Sequence, residues 1–322
     1  MTHRRAVVLM LLVTLLWSTA GVVTRQLEAA RSFELTFWRS AFNGLALIVG
    51  LRWLRGPALW AQLTQAPRLV WLSGVCWAVM FTAFMLAISL TRVAHVLVIM
   101  ALGPLLTGLF ARIFLQQKLP TRTWFAIVLA SLGIAWMFGH ELLGAGGAEQ
   151  GGAGGQALLG SLVALGVPVA AAVNWCVLQH VSHSAHKASE RPDMLLSLLI
   201  GAGLSALAVL PLAWPLQASA HDLGLLAGLG VFQLAVPCML VVHLSRYLVG
   251  PEIALLGQLE VILGVLWAWA WAGETPSSAT LTGGALVLLA LVGNELLAWR
   301  AGPKTPVLTS PKPENLENRR EA

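Results

Sequence analysis

The sequence predicts an all-α integral membrane protein: ten transmembrane helices arranged as two inverted five-helix repeats. Three observations predict it. Ten long apolar blocks, separated by short charged or Gly/Pro-rich gaps, take up nearly the whole chain. One Gly-rich gap divides them five and five, and Lys and Arg crowd into alternate gaps. Composition agrees, with 57% hydrophobic and 11% charged residues among 322 and a mean hydropathy of +0.78. Little chain is left for a separate soluble domain.

In order, the blocks are Ala6 to Thr24, Leu35 to Leu51, Leu69 to Ser89, Val93 to Leu115, Thr123 to Gly139, Ala157 to Gln179, Met194 to Trp214, Leu223 to Leu244, Ile253 to Ala272 and Ala279 to Trp299. The shortest still crosses a hydrocarbon core of about 30 Å at a helical rise of about 1.5 Å per residue. Helices are expected because lipid offers no partner to backbone N–H and C=O groups, and the alternation of a membrane barrel is absent. Arg4 and Arg5 give the first block the look of a signal peptide. Its apolar run is long for one and no small-residue cleavage site stands out, so it is expected to stay as the first helix. Gly103 and Pro104 in the fourth block, Gly201 and Gly203 in the seventh, and Gly283 and Gly284 in the tenth allow close packing or bending. Cys76, Cys176 and Cys238 fall inside blocks without metal spacing and read as packing residues.

Orientation follows from the basic residues. With a cytoplasmic N-terminus, Arg4, Arg5, Arg52, Arg55, Arg68, Arg112, Lys118, Arg122, Lys187, Arg191, Arg246, Arg300, Lys304, Lys312, Arg319 and Arg320 lie on the inner side. Only Arg25, Arg31 and Arg92 fall in outer loops, and Arg39 lies inside a span. This positive-inside bias places both termini in the cytoplasm. It also accounts for the net charge of +6 with no nucleic-acid partner.

The gap from His140 to Gln156 carries seven glycines from Gly144 to Gly155 and is expected to be a flexible linker. It lacks the ending of a phosphate-binding loop. An odd number of spans on each side forces the halves into opposite orientations, the plan of many secondary transporters. The expected units are therefore 1–139, the linker 140–156, 157–299 and a disordered, Pro-rich cytoplasmic tail 300–322. A shift of 157 residues lays Leu102, Leu106, Leu109 and Ala111 on Leu259, Leu263, Leu266 and Ala268, and Gln117 on Glu274.

At these residues the chain resembles EamA-type transporters of the drug/metabolite transporter superfamily. In that family each repeat has a span that runs from a proline to a Gly-Glu ending, and closes with a Gly-containing helix. Here the first copy runs from Pro104 to Gln116-Gln117, and the second from Glu260-Val261 to Gly273-Glu274. Trp17-Ser18-Thr19, Phe37-Trp38-Arg39, Val231-Phe232-Gln233 and Ser245-Arg246-Tyr247-Leu248 extend the likeness over roughly Arg5 to Trp299. Gln117 replaces the family glutamate, and Val261 replaces its proline. Without that proline, a straighter ninth helix is expected.

Glu260 is the sharpest candidate, because an ionised side chain near the middle of a span costs about 2.5–3.5 kcal/mol on insertion scales. It could take up and release a proton as a cavity opens to either side. A permanently neutral acid bonded to a neighbouring helix competes with that role, as does direct substrate contact. Arg39 either snorkels to the interface, or pairs with Glu34 or Glu28, or recognises a carboxylate or phosphate. Asn43, four residues on, shares its helix face. Trp17 and Asn174 are related by the 157-residue shift and lie in the first spans of the halves, which in the resembled family line the central cavity. Packing competes for Trp17, and a helix–helix hydrogen bond competes for Asn174. His180, His183 and His186 have a spacing that could hold a metal, but a solvated juxtamembrane run is the favoured reading. Neither a metal nor a cofactor is expected.

No nucleophile–base pair or phosphate loop supports an enzyme. The resemblance implies a multi-pass transporter of a bacterial inner membrane, with the lipid bilayer and a small-molecule substrate as partners. It would export amino acids, related metabolites or drugs by alternating access. Proton exchange through Glu260 and simple facilitation both stay open, with the proton favoured. A membrane scaffold or partner subunit is the alternative.

Overall fold

The structure, a computed structural model, describes residues 1–30, 32–90, 93–144, 153–184, 192–272 and 277–300. The first block forms α1 (His3–Ser18) and α2 (Ala20–Thr24), broken at Thr19, whose hydroxyl donates back to Leu16 O at 2.7 Å. The second forms α3 (Ser32–Arg55), which starts one turn earlier than expected and so sets Arg39 two turns deep. A 3₁₀ turn (Gly56–Ala58) and the short α4 (Leu59–Thr64) lead to α5 (Arg68–Leu90). The fourth block is split into α6 (Val93–Met100) and α7 (Gly103–Phe114), and α8 (Thr121–Gly144) completes the first half.

The second half opens with α9 (Ala153–Ser184) and α10 (Leu195–Ala213). The eighth block is α11 (Ala220–Gly228), a π-helical stretch (Leu229–Ala235) and α12 (Val236–Leu244). The ninth is α13 (Gly250–Gly257) and α14 (Leu259–Ala272), and the tenth is α15 (Ser278–Arg300). Eight helical spans among the described residues are long and apolar enough to cross a membrane. Thr121–Met137 is a shorter apolar helix, and α3 carries Glu34 and Arg39 within its length.

Two expectations need revision. The ninth span is not straightened by the loss of proline: it breaks at Gln258, where Gln258 N–H turns back to Leu255 O and Val261 N–H to Gln258 O, both at 3.1 Å. These tightened contacts interrupt the helix as a proline would. Helix also claims both ends of the expected linker, since α8 reaches Gly144 and α9 begins at Ala153. Its centre, together with His186, Gly273, Glu274 and the tail, lies outside the described residues.

Burial is inverted relative to a water-soluble bundle. Phe125 and Leu207 are each 69% exposed, whereas Ser40, Asn43, Ser73, Asn174, Ser197 and Ser205 are buried. Such an outer surface needs lipid, and such an interior needs internal hydrogen bonds. Small residues bring the helices together. A Cβ on Gly133 would lie 2.8 Å from Gly283 O, tying α8 to α15, and one on Gly201 would lie 3.1 Å from Gly74 O, tying α10 to α5. Ser205 Oγ sits 3.0 Å from Ser40 Oγ and 2.9 Å from Thr82 Oγ1, which cross-links α3, α5 and α10.

Two carboxylates fasten the loops at one end. Asp222 accepts from the backbone N–H groups of Glu28, Ala29 and Ala30 at 2.8–2.9 Å, and forms a capping box with Ser219. Glu34 accepts from Gln217 and Ala218 N–H at 2.8 and 2.7 Å, and from the Trp38 indole at 3.2 Å. At the opposite end of α3, Arg55 pairs with Asp193 at 2.6 Å.

Candidate functional site

The break in the ninth span determines the position of Glu260. Because α13 stops at Gly257 and α14 starts at Leu259, Glu260 lies in the first turn of a half-helix, where unpaired N–H groups and the helix dipole favour an acidic side chain. Half-helix starts inside a membrane are recurrent ion and substrate positions. Glu260 is half-buried. On the same half-helix, the Trp267 indole donates to Ser18 Oγ of α1 at 2.9 Å.

Arg39 is 5% exposed, and Asn43 fully buried. The guanidinium therefore does not snorkel, and Glu34 is engaged by other donors. Arg39 and Glu260 lie within electrostatic reach of one another, and no ion pair joins them among the described residues. Cys238 of α12 lies in the same field, with the Trp17 indole against its thiol. Trp17 O accepts from Gln233 Nε2 at 3.3 Å, which ties the π-helical stretch to α1. π-Helical insertions recur at functional positions. This one brings Gly230 against α3, where a Cβ would meet Arg39 O and Asn43 N at 2.9 Å each.

Unsatisfied polarity concentrates here. Arg39 Nε, both amide atoms of Asn43 and Gln233 Oε1 are buried without a hydrogen-bond partner among the described residues. Each such atom costs about 1–3 kcal/mol relative to a paired one, so a cluster of them needs a ligand or a function to offset it. A carboxylate or phosphate can accept from the guanidinium and from the Asn43 amide together.

Trp17, Arg39 and Glu260 thus all act on the surroundings of Cys238, and Asn43 lies one turn along α3 from Arg39. Asn174 is engaged elsewhere. Its Oδ1 accepts from Ser73 at 2.6 Å, and the Ser73 hydroxyl lies 3.0 Å from that of Ser197, a bridge between α9, α5 and α10 that leaves Asn174 Nδ2 unpaired. Gln233, Cys238, Ser18 and Trp267 join the site without having been singled out for function; Gln233 was visible only as part of a family-like tripeptide. Two surface clefts open at the rims, one among Val181, Asp193, His243 and Arg246 and one among Phe33, Trp214 and Gln217. Neither touches Arg39 or Glu260.

In the histidine run, His183 Nδ1 lies 2.8 Å from Gln179 O, a local contact along α9. A different grouping could hold a metal: ligand atoms of His3, Glu252 and Glu295 lie within 4.8 Å of one another, with His3 Nε2 2.6 Å from Glu252 Oε1. His3 is exposed, and its contact with Glu252 already fastens α1 to α13.

Residues 4–139 match the EamA-like transporter family. The chain is 23% identical over 296 residues to the pseudopaline exporter CntI of Pseudomonas aeruginosa (strain UCBPP-PA14), covering 90% of this chain and 95% of that protein. It is 28% identical over 142 residues to the uncharacterized transporter PA0485 of Pseudomonas aeruginosa, covering 42% and 48%. A crystal structure at 20% identity superposes with a TM-score of 0.74 over 93% of this chain and 100% of that one, which shows a shared fold.

Proposed function

We propose that this EamA-type membrane transporter exports small polar or amphipathic metabolites by alternating access, with Arg39 and Asn43 receiving an anionic group of the cargo. The matched family, the exporter relative and the eight apolar spans support a multi-pass transporter rather than an enzyme. Thr121–Met137 and α3, counted with the eight apolar spans, support a reading of ten crossings. The helix bounds recur at an offset of 157: α6 (93–100) maps onto α13 (250–257), α7 (103–114) onto α14 (259–272) and α8 (121–144) onto α15 (278–300). Two five-helix halves of opposite orientation fit that recurrence. The distribution of Lys and Arg supports a cytoplasmic position for both termini, and the bacterial relatives support an inner membrane.

The observation that carries the reading is that Arg39 Nε and both amide atoms of Asn43 are buried without a hydrogen-bond partner among the described residues. Arg39 and Asn43 supply donors for a carboxylate or phosphate, and the half-buried carboxyl at the start of α14 supplies a proton site whose occupancy changes as water reaches it from one side and then the other. Amino acids, related metabolites and drugs bearing such groups form the substrate class, and the relative named as an exporter supports outward movement.

Counterflow in proteoliposomes tests this. A broad metabolite pool is loaded inside, its isotope-labelled counterpart is added outside, and exchange is scored by mass spectrometry. Selective exchange of anionic or zwitterionic compounds, lost in Arg39→Gln, is the expected result. Folded protein that exchanges nothing, or neutral compounds only, overturns the reading.

A further inference from the structure

Gln179, in the last third of α9, makes two side-chain bonds that belong to no helix of its own. Its Oε1 accepts from Gly250 N–H at 2.7 Å, and its Nε2 donates to Gln117 Oε1 at 2.7 Å. The backbone N–H can only donate, so the amide orientation is fixed. The side chain is 7% exposed. Gly250 opens α13, where a first-turn N–H has no partner within its own helix, and a Cβ there would lie 3.2–3.4 Å from Trp175, Gln179 and Thr107. Gln117 is delivered by the end of α7: Gln116 takes a left-handed φ of 52°, and Gln117 N–H returns to Ala111 O at 3.1 Å. One buried amide thus joins α9, α13 and the turn after α7.

Among the described residues, the other end of the bundle shows no such device. At the 157-residue offset, Val22 stands where Gln179 does and Val93 where Gly250 does. Packing is unequal in the same sense. α13 packs on α7, α9 and α1, whereas its counterpart α6 packs on α8 and α9, with no comparable packing against α1 or α14 among the described residues. Among the described residues, the bundle is tied together more fully where α13 lies than where α6 lies.

We propose that Gln179 is a gate residue, whose two hydrogen bonds close the end of the pathway at α13 and have to break in every transport cycle. This rests on the transporter reading, and with the orientation given above the sealed end is cytoplasmic. The bonds are neutral and geometrically simple, so they can form and open without moving a charge through lipid. Gln117, at the position of the family glutamate, is the gate's second half.

Thr107 is a reporter: it is fully buried on α7 beneath Gly250. Thr107→Cys in the full-length protein is expected to react slowly with a membrane-impermeant maleimide. Gln179→Met keeps side-chain length but removes both bonds; each is worth about 1 kcal/mol, so labelling of Thr107→Cys should rise about tenfold or more. Gln179→Glu still accepts from Gly250, and the Gln117 amide can turn to donate, so labelling should stay slow. The native Cys76, Cys176 and Cys238 are buried and report folding by staying unreactive in every variant. Equal labelling with Gln179 and with Met at that position, native cysteines silent, overturns the gate. If native cysteines react in the Met variant, the comparison moves to Gln117→Leu, which removes one bond, and unchanged labelling there also overturns it. Labelling needs no substrate: a gate that responds in protein that exchanges nothing sinks the transporter reading and leaves the seal standing. Inside-out and right-side-out vesicles distinguish which face the maleimide enters from.

Discussion

Gly133 and Gly283 are each the other's contact surface: a Cβ on Gly133 would fall 2.8 Å from Gly283 O, and one on Gly283 would crowd Gly133 O and the Met137 side chain. They mark a close backbone approach between α8 and α15.

Gly283→Ala therefore cannot be accommodated without separating two backbones. It should destabilise the protein by about 1–3 kcal/mol, the usual cost of overpacking. Thermal unfolding in detergent measures it, and Gly293→Ala, inside the same helix where a Cβ meets nothing, is the control that should hold or raise the midpoint.

Gln116 predicts the opposite sign. It holds a left-handed φ of 52°, which costs an L side chain about 1–2 kcal/mol and costs glycine nothing. Gln116→Gly should raise stability by about 1 kcal/mol while keeping the return bond from Gln117 to Ala111. A lower unfolding midpoint would show that the Gln116 Nε2 contact with Ile113 O, at 2.9 Å, outweighs the strain.

Asn43 separates function from stability. With both amide atoms buried and unpartnered, Asn43→Leu removes a penalty and should stabilise the unliganded protein by about 1–3 kcal/mol. Exchange in proteoliposomes should drop at the same time. A variant that is both less stable and fully active would mean the amide is satisfied in the resting protein.

Glu260→Gln should keep counterflow, because the side chain still fits the start of α14, but uphill movement driven by a pH gradient should vanish. Unchanged dependence on that gradient would remove the proton from the mechanism and leave facilitation.

Much of this architecture was legible in the sequence because lipid imposes a simple code of length and polarity. The same code exposed Arg39, Asn43 and Glu260, since charge and amide groups inside apolar blocks are rare. Three things stayed hidden for physical reasons. The interruption at Gln258 comes from tightened backbone bonds rather than proline, so composition carries no sign of it. Asn174 read as a partner of Trp17 by repeat position, yet a hydroxyl on α5 at 2.6 Å holds it, and such neighbours depend on helix rotation. Gln179 was the last residue of a predicted block, where polar side chains are ordinary. Only the fold shows that it bonds the first N–H of α13 and another amide.

The seal around Gln179 also bears on affinity measured from the cytoplasm. A compound arriving there meets mostly molecules that do not admit it, and its apparent dissociation constant is the intrinsic one divided by the fraction that does. If about 1% of molecules are open inward at rest, the apparent affinity is about a hundredfold weaker than the site's own. Loosening the seal would then tighten apparent binding while altering no contact with the cargo.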